Sequence, residues 1–310
     1  MEQLNLIIDT YQRIILESES KLAKVKQRIY RIGTLRLILF AAGIAGIIYF
    51  WDEGRLVIGG IAAITFIPFI LLVKLHNRLF HQKDYLEKKI EINRQELQAL
   101  TYDTSAFDNG EEFINPSHLY TYDLDVFGEH SLFQYINRTA TQPGKKRLAE
   151  WMNMHLKSKA EIEKRQEAVR ELAPELEMRQ HFRVLGLLHK GKTADEEEIR
   201  NWASSPEYYR KKWYFRTLAI LIPTANAVCI GLAIAEIISF TTWGIVFASI
   251  GLFSSSFSKG ISRMQSVYGK KMLILTTYAR LIHIIEEKKM RCIALKEIKE
   301  LVGGEKQTAS

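Results

Sequence analysis

The stretch GLLHKGKT, Gly186 to Thr193, sets glycine, lysine and threonine at the spacing G-x-x-x-x-G-K-[ST]. In a phosphate-binding loop of that pattern, Gly186, Gly191 and Lys192 would bring backbone N–H groups and an ammonium to the phosphates, and the Thr193 hydroxyl would meet Mg²⁺. That chemistry needs a buried strand leading in and a helix starting at the lysine, so that the helix dipole faces the anion. The approach, EMRQHFRVLGLLHKG, is instead charged and helical in period, with Phe182, Leu185 and Leu188 on one face. The exit, TADEEEIRNW, offers Thr193 as an N-cap and fills the first turn with Asp195, Glu196 and Glu197. Those carboxylates already answer the positive helix end and would repel a triphosphate. Gly186, Gly191, Lys192 and Thr193 are therefore expected to form a helix–loop–helix corner, and no cofactor is assigned to them.

Other chemistry is sparse. The two cysteines, Cys229 and Cys292, lie far apart with no CxxC, and the eight histidines are scattered singly. That pattern favours neither a disulfide scaffold nor a zinc site. No nucleophile–base pair or paired carboxylates stand out, so neither catalytic nor metal-binding residues are expected, and the chain reads as a non-enzyme. The net charge of +8 and pI near 9.3 point to a polyanionic partner, either nucleic acid or an anionic membrane surface. The placement of the charges decides between them.

The apolar residues gather in four charge-free blocks: 37–51, 56–73, 217–235 and 237–253. Each approaches the ~17–25 residues that cross a bilayer core, and they pair as two hairpins with tight turns at 52–55 and at Glu236. Arg28, Arg31 and Arg36 precede the first block, and Lys74 and Arg78 follow the second. Arg210, Lys211, Lys212 and Arg216 precede the third, while Lys259, Arg263, Lys270 and Lys271 follow the fourth. The positive-inside rule then puts both termini and residues 74–216 in the cytoplasm of a multi-pass inner-membrane protein, with the lipid bilayer as its first partner. Four buried core helices are the competing reading of these blocks. Asn226, Thr224 and Pro223 inside the third block fit either a transport path or a bond to a neighbouring helix.

Outside the blocks the period is helical. Leu4, Ile8, Tyr11, Ile15, Ser18, Leu22, Val25, Ile29 and Ile32 alternate steps of three and four; Leu75, Leu79, Leu86, Ile90, Leu97 and Leu100 nearly continue the spacing. This is a coiled-coil seam, usable in one antiparallel hairpin or between two copies. The fold class is all-α, in six segments. Residues 1–100 form a helical hairpin carrying the spans 37–51 and 56–73, and 101–128 are a linker rich in Asp, Asn, Gly and Pro. Core helices occupy 129–212, a second membrane hairpin 213–256, one long amphipathic helix 257–304 closed by Gly303 and Gly304, and a tail 305–310.

LFQYINRTATQPGKKRLAEWM (Leu132–Met152) reads locally as a corner: Arg138 ends one helix, Thr141 caps the next, and Pro143 sits in its first turn. Gly144 allows close approach, and Leu148, Trp151 and Met152 are expected on the buried face. The stretch resembles the core-domain signature of the MutS mismatch-repair family, L-D-R-T-x-T-x-x-G-x-R-L-L-x-x-W. Arg138, Thr139, Thr141, Gly144, Leu148 and Trp151 match it. Asn137 stands where that family has Asp, Lys146 stands for Arg and Arg147 for Leu. IEKRQEAVRELA is similar to the family's next helix, so the resemblance covers roughly residues 123–205. It implies a helical core, or lever, between a DNA-clamping end and an ATPase end, with Arg138, Thr139, Thr141, Gly144, Lys146, Leu148 and Trp151 in structural and coupling roles.

Phe127-Gly128-Glu129 matches the family's Phe-x-Glu mismatch reader but directly precedes the core signature; it is expected to be a decoy, with Glu129 an acid at a helix start. The resemblance also implies an ATPase domain downstream, to which ATP and Mg²⁺ would belong, and for which no residues remain before Ser310. The expected role is a membrane-anchored coupling module for a MutS-type ATPase in cis, with a homodimer implied by the family. DNA binding of the mismatch-repair type, and a small-molecule transporter or membrane scaffold, are the alternatives.

Overall fold

The computed structural model describes residues 2–188, 213–235 and 237–303. The chain divides into two compact units, Met1–Lys190 with Thr277–Ser310, and Gly191–Thr276. The described residues are helical, with no strand among them, which is the all-α class expected from the periods.

The first unit is built on a long hairpin. Helix α1 (Glu2–Tyr49) runs to a short 3₁₀ turn at Trp51–Glu53, and α2 (Arg55–Ala99) returns. Gly54 joins them at φ 101°, where a side chain would be strained. The pairing is antiparallel: Arg94 meets Glu19 at 2.6 Å, Lys26 meets Glu87 at 3.0 Å, and the Phe40 and Phe69 rings lie 6.2 Å apart. Ile15, Ser18 and Val25 are buried on α1, as are Leu79 and Ile90 on α2. The seam is thus used within one chain, while its outer members Leu4 and Leu75 remain 44% exposed.

Towards the turn the hairpin changes character. Leu37, Ile38, Ile48, Leu56, Ile64 and Phe66 all stand exposed. α1 and α2 are long and apolar enough to cross a membrane, and almost none of their apolar stretches is buried. Bare apolar surface of this extent is unfavourable in water and ordinary in lipid.

Residues 101–128, expected as a linker, have irregular backbone but are packed. Phe107, Val126 and Phe127 are buried, as are Thr104 and Thr121. Side chains stabilise the turns, Asp108 accepting from Gly110 N at 3.0 Å and Asn109 from Glu111 N at 3.1 Å. Four helices follow: α3 (Leu132–Ile136), α4 (Gln142–Asn153), α5 (Lys159–Leu172) and α6 (Leu176–Leu188). Val126, Phe127, Phe133 and Ala149 form a small core, against which Phe113, Leu148 and Met152 pack. Phe127 is therefore a core residue, its ring 5.3 Å from that of Phe133. Glu129 precedes the N-cap Ser131 and so lies outside the first turn of α3, contrary to expectation.

In the second unit, α7 (Trp213–Ile234) and the first part of α8 (Phe240–Glu287) form a hairpin. Their apolar stretches Ile220–Ala233 and Thr241–Leu252 are shorter than those of α1 and α2. The Trp243 indole donates to Asn226 Oδ1 at 3.0 Å, and Thr224 Oγ1 donates to the Ile220 carbonyl at 2.8 Å. Both polar groups of the third block thus have partners within the hairpin.

The last part of α8 rejoins the first unit, but it does not continue unbroken to Gly303 as the period suggested. It ends at Glu287, and α9 (Ile293–Gly303) starts afresh. The break has a chemical cause. The Glu171 carboxylate of α5 accepts from Arg291 N and Cys292 N, both at 2.7 Å, capping α9 from another helix. Those backbone bonds hold the Glu171 carboxyl below its ordinary range. Lys288–Glu175 at 2.5 Å and Lys164–Glu297 at 2.6 Å flank the cap.

Candidate functional site

The signature folds into the expected corner and docks it on the α1–α2 hairpin near Glu96, the stalk. Thr141 Oγ1 accepts from Gly144 N at 3.2 Å, so Thr141 is the N-cap of α4. A Cβ on residue 144 would lie 3.0 Å from that oxygen, so Gly144 keeps the cap open.

Asn137 explains its own departure from Asp. Its Oδ1 accepts from Thr139 N at 3.1 Å and from Thr139 Oγ1 at 2.7 Å, as a carboxylate would. Its Nδ2, however, donates to the Asp108 carbonyl at 3.0 Å, and the side chain is buried. Asn137→Asp should replace that donor with a charged acceptor facing a carbonyl and cost about 1–3 kcal/mol, read from the denaturation midpoint.

Arg138 ties the corner to α2. Its Nε donates to Glu96 Oε1 at 2.7 Å, and its guanidinium lies 3.5 Å from the Phe107 ring centroid. Arg183 of α6 reaches the same Glu96 oxygen at 2.5 Å and stands 5.4 Å from the same ring. One carboxylate thus serves two guanidiniums beside one aromatic ring. Burial pulls the Arg183 guanidinium below its ordinary value, with Glu96 opposing, and among the described residues its buried Nε has no partner. Tyr11 of α1 joins the cluster; burial, then Glu96, raises its phenol.

α6 is held to α2 by polar bonds as well. Asn93 and Gln180, both buried, exchange bonds of 2.6 and 3.4 Å, and Tyr85 Oη lies 2.8 Å from His181 Nδ1. Burial, and then Lys89, lowers the His181 imidazole. None of these α2 and α6 residues was singled out from the sequence. A signal existed: Asn93 and Glu96, one turn apart, place polar groups where the α2 surface must meet another helix.

On α4 the expected roles are redistributed. Lys146 is exposed, and the neighbouring Lys145, 5% exposed, bonds Asp108 at 2.6 Å and pairs with Glu112. Burial pulls the Lys145 ammonium down, but the two carboxylates outweigh it and the group is raised. Leu148 and Met152 do face the core, whereas Trp151 is 45% exposed. At about 100° per residue, the face holding 145, 149 and 152 turns 151 outward. Trp151 instead carries the Arg165 guanidinium of α5 at 4.1 Å from its ring. Thr139 sits at the bend, half-buried, bonded to Asn137.

Gly186 lies inside helix α6, where a Cβ would come 2.5 Å from Ala140 Cβ and 3.2 Å from the Ala140 carbonyl. The residue is the crossing point of α6 over the signature corner. A helix leads towards the GLLHKGKT loop through Leu188, while Gly191, Lys192 and Thr193 lie outside the described residues, as do the helix expected over 194–204 and the tail 305–310. Among the described residues no group of three or more His, Cys, Asp or Glu is placed to hold a metal. The arrangement can fix the angle between stalk and corner through charged hydrogen bonds, which is mechanical chemistry.

No curated protein and no solved structure matches the chain. Residues 117–201 match the family model of MutS domain III, which supports a relationship to the MutS family over the end of the packed segment and the helices α3 to α6.

Proposed function

We propose that the chain is a non-catalytic, membrane-anchored MutS-like core module. It couples a MutS-type ATPase in cis, to which ATP and Mg²⁺ belong, to the bilayer or to a partner. The observation that carries this reading is the continuity of α2. One helix of 45 residues, about 67 Å long, begins in the bare apolar segment and ends at Ala99, one turn past Glu96, which Arg138 of the signature and Arg183 of α6 grip. The corner and the apolar end are therefore joined by one helix, which carries Pro68 within its apolar part. The multi-pass inner-membrane placement, with four spans and cytoplasmic termini, belongs to this proposal, as does assembly as a homodimer.

Membranes from cells expressing the chain test it. The protein is expected to stay in the pellet after alkaline carbonate and to leave it only in detergent; release by carbonate would overturn the anchor. Mismatch-repair-type DNA contact is the second reading, favoured by the domain III match and the charge of +8. Tight duplex binding that falls steeply with salt would replace the first reading with the second.

A further inference from the structure

A cavity of about 560 Å³ opens beside the signature corner, within the size range of small-molecule sites. Its lining is of two kinds. Ile92, Leu172, Leu176, Met178, Leu295 and Ile298 are aliphatic. Arg138, Arg179 and Arg183 bring three positive charges against Glu96, the single carboxylate of the lining, and Tyr11 brings a phenol. Among the described residues the buried Arg183 Nε has no partner, and the exposed Arg179 donates to the Ala173 carbonyl at 2.7 Å.

We infer that this cavity binds a single-chain anionic amphiphile, its carboxylate or phosphate monoester at the arginines and its alkyl chain along the aliphatic wall. Charge complementarity selects the head, because guanidinium forks match planar or tetrahedral oxyanions and a cationic head would meet repulsion. The wall selects the tail, because Leu, Ile and Met side chains offer no hydrogen bonds to a polar body. The occupant has two sources, a free fatty acid or a lysophosphatidate released from the bilayer. Both present a terminal oxyanion on a single alkyl chain. The inference does not depend on the coupling role proposed above.

The test uses the full chain in lipid nanodiscs, with a fatty acid carrying a photoreactive diazirine on its alkyl chain and peptide mapping of the cross-links. Labelling is expected in residues 172–183 and 290–298, competed by dodecanoate and dodecyl phosphate but not by dodecanol or dodecyltrimethylammonium. Relative potency of dodecanoate and of a lysophosphatidate then distinguishes the two sources. Leu295→Trp, which fills the aliphatic wall, is expected to lower pocket labelling at least tenfold while labelling of residues 37–73 persists. Arg179→Gln, at an exposed position, is expected to weaken dodecyl phosphate competition about tenfold, the loss of one charged hydrogen bond. Thermal unfolding of both variants checks that they fold. Labelling confined to 37–73, or equal competition by dodecanol, would overturn the inference. Absence of labelling at 37–73 with pocket labelling intact would count against the membrane reading alone.

Discussion

Glu96→Gln is expected to destabilise the first unit by about 2–4 kcal/mol, because it removes the single carboxylate from between two guanidiniums. Arg138 and Arg183 both reach Glu96 Oε1, and the side chains retain only 28%, 12% and 19% exposure for Arg138, Arg183 and Glu96. Glutamine keeps the shape and one acceptor oxygen, so packing is unchanged and the loss is electrostatic. Two positive charges would then lie side by side next to the Phe107 ring, with no carboxylate between them and water mostly excluded. Chemical denaturation in detergent gives the magnitude. A double-mutant cycle with Arg183→Met assigns it: the double variant is expected to be more stable than Glu96→Gln alone, since the buried charge leaves with its partner. A Glu96→Gln variant as stable as the parent would show that the stalk is not gripped through this carboxylate.

Gly186→Val is expected to cost a similar amount, about 2–4 kcal/mol, by another mechanism. A Cβ at 186 would meet Ala140 Cβ at 2.5 Å and the Ala140 carbonyl at 3.2 Å. Those neighbours belong to the corner's backbone and a methyl on it, so no flexible side chain can swing away. α6 would have to lift from the corner, weakening the Asn93–Gln180 and Arg183–Glu96 contacts together. Gly186→Ala should cost less than Val but follow the same sign. Compared with Glu96→Gln, its effect should be insensitive to salt, since overpacking is steric while the ion pairs are partly screened.

The helical class, the stalk hairpin and the corner at Thr141 were legible because each depends on local rules: a seam at steps of three and four, charge-free runs, an N-cap with proline behind it. Asn137 and Gly144 were legible as motif members, but their reasons were not, since Asn137 needs the Asp108 carbonyl from 29 residues away. The Lys145–Lys146 exchange and the outward Trp151 show the limit of matching a pattern letter by letter. Which lysine is buried depends on the phase of α4 against an aromatic core contributed partly by residues 107–127, a segment without period. The break at 288–292 was hidden for the same reason, because its cause is the Glu171 carboxylate on a distant helix. Gly186 drew notice through a phosphate-loop pattern that was read as a helical corner; that its missing Cβ makes room for Ala140 at a helix crossing was not legible.

Single cysteines in a cysteine-free background test the central claim, that the packed MutS-like core hangs from the membrane on its cytoplasmic side. Cysteine at Glu53 and at Ile237, in the two hairpin turns, and at Gln98, at the base of the stalk, would be probed with a membrane-impermeant maleimide on intact cells. The prediction is labelling at 53 and 237 and protection at 98 until the cells are opened. Labelling at 98 with protection at 53 would invert the topology, and equal labelling of all three only after lysis would mean that the hairpins do not cross the membrane.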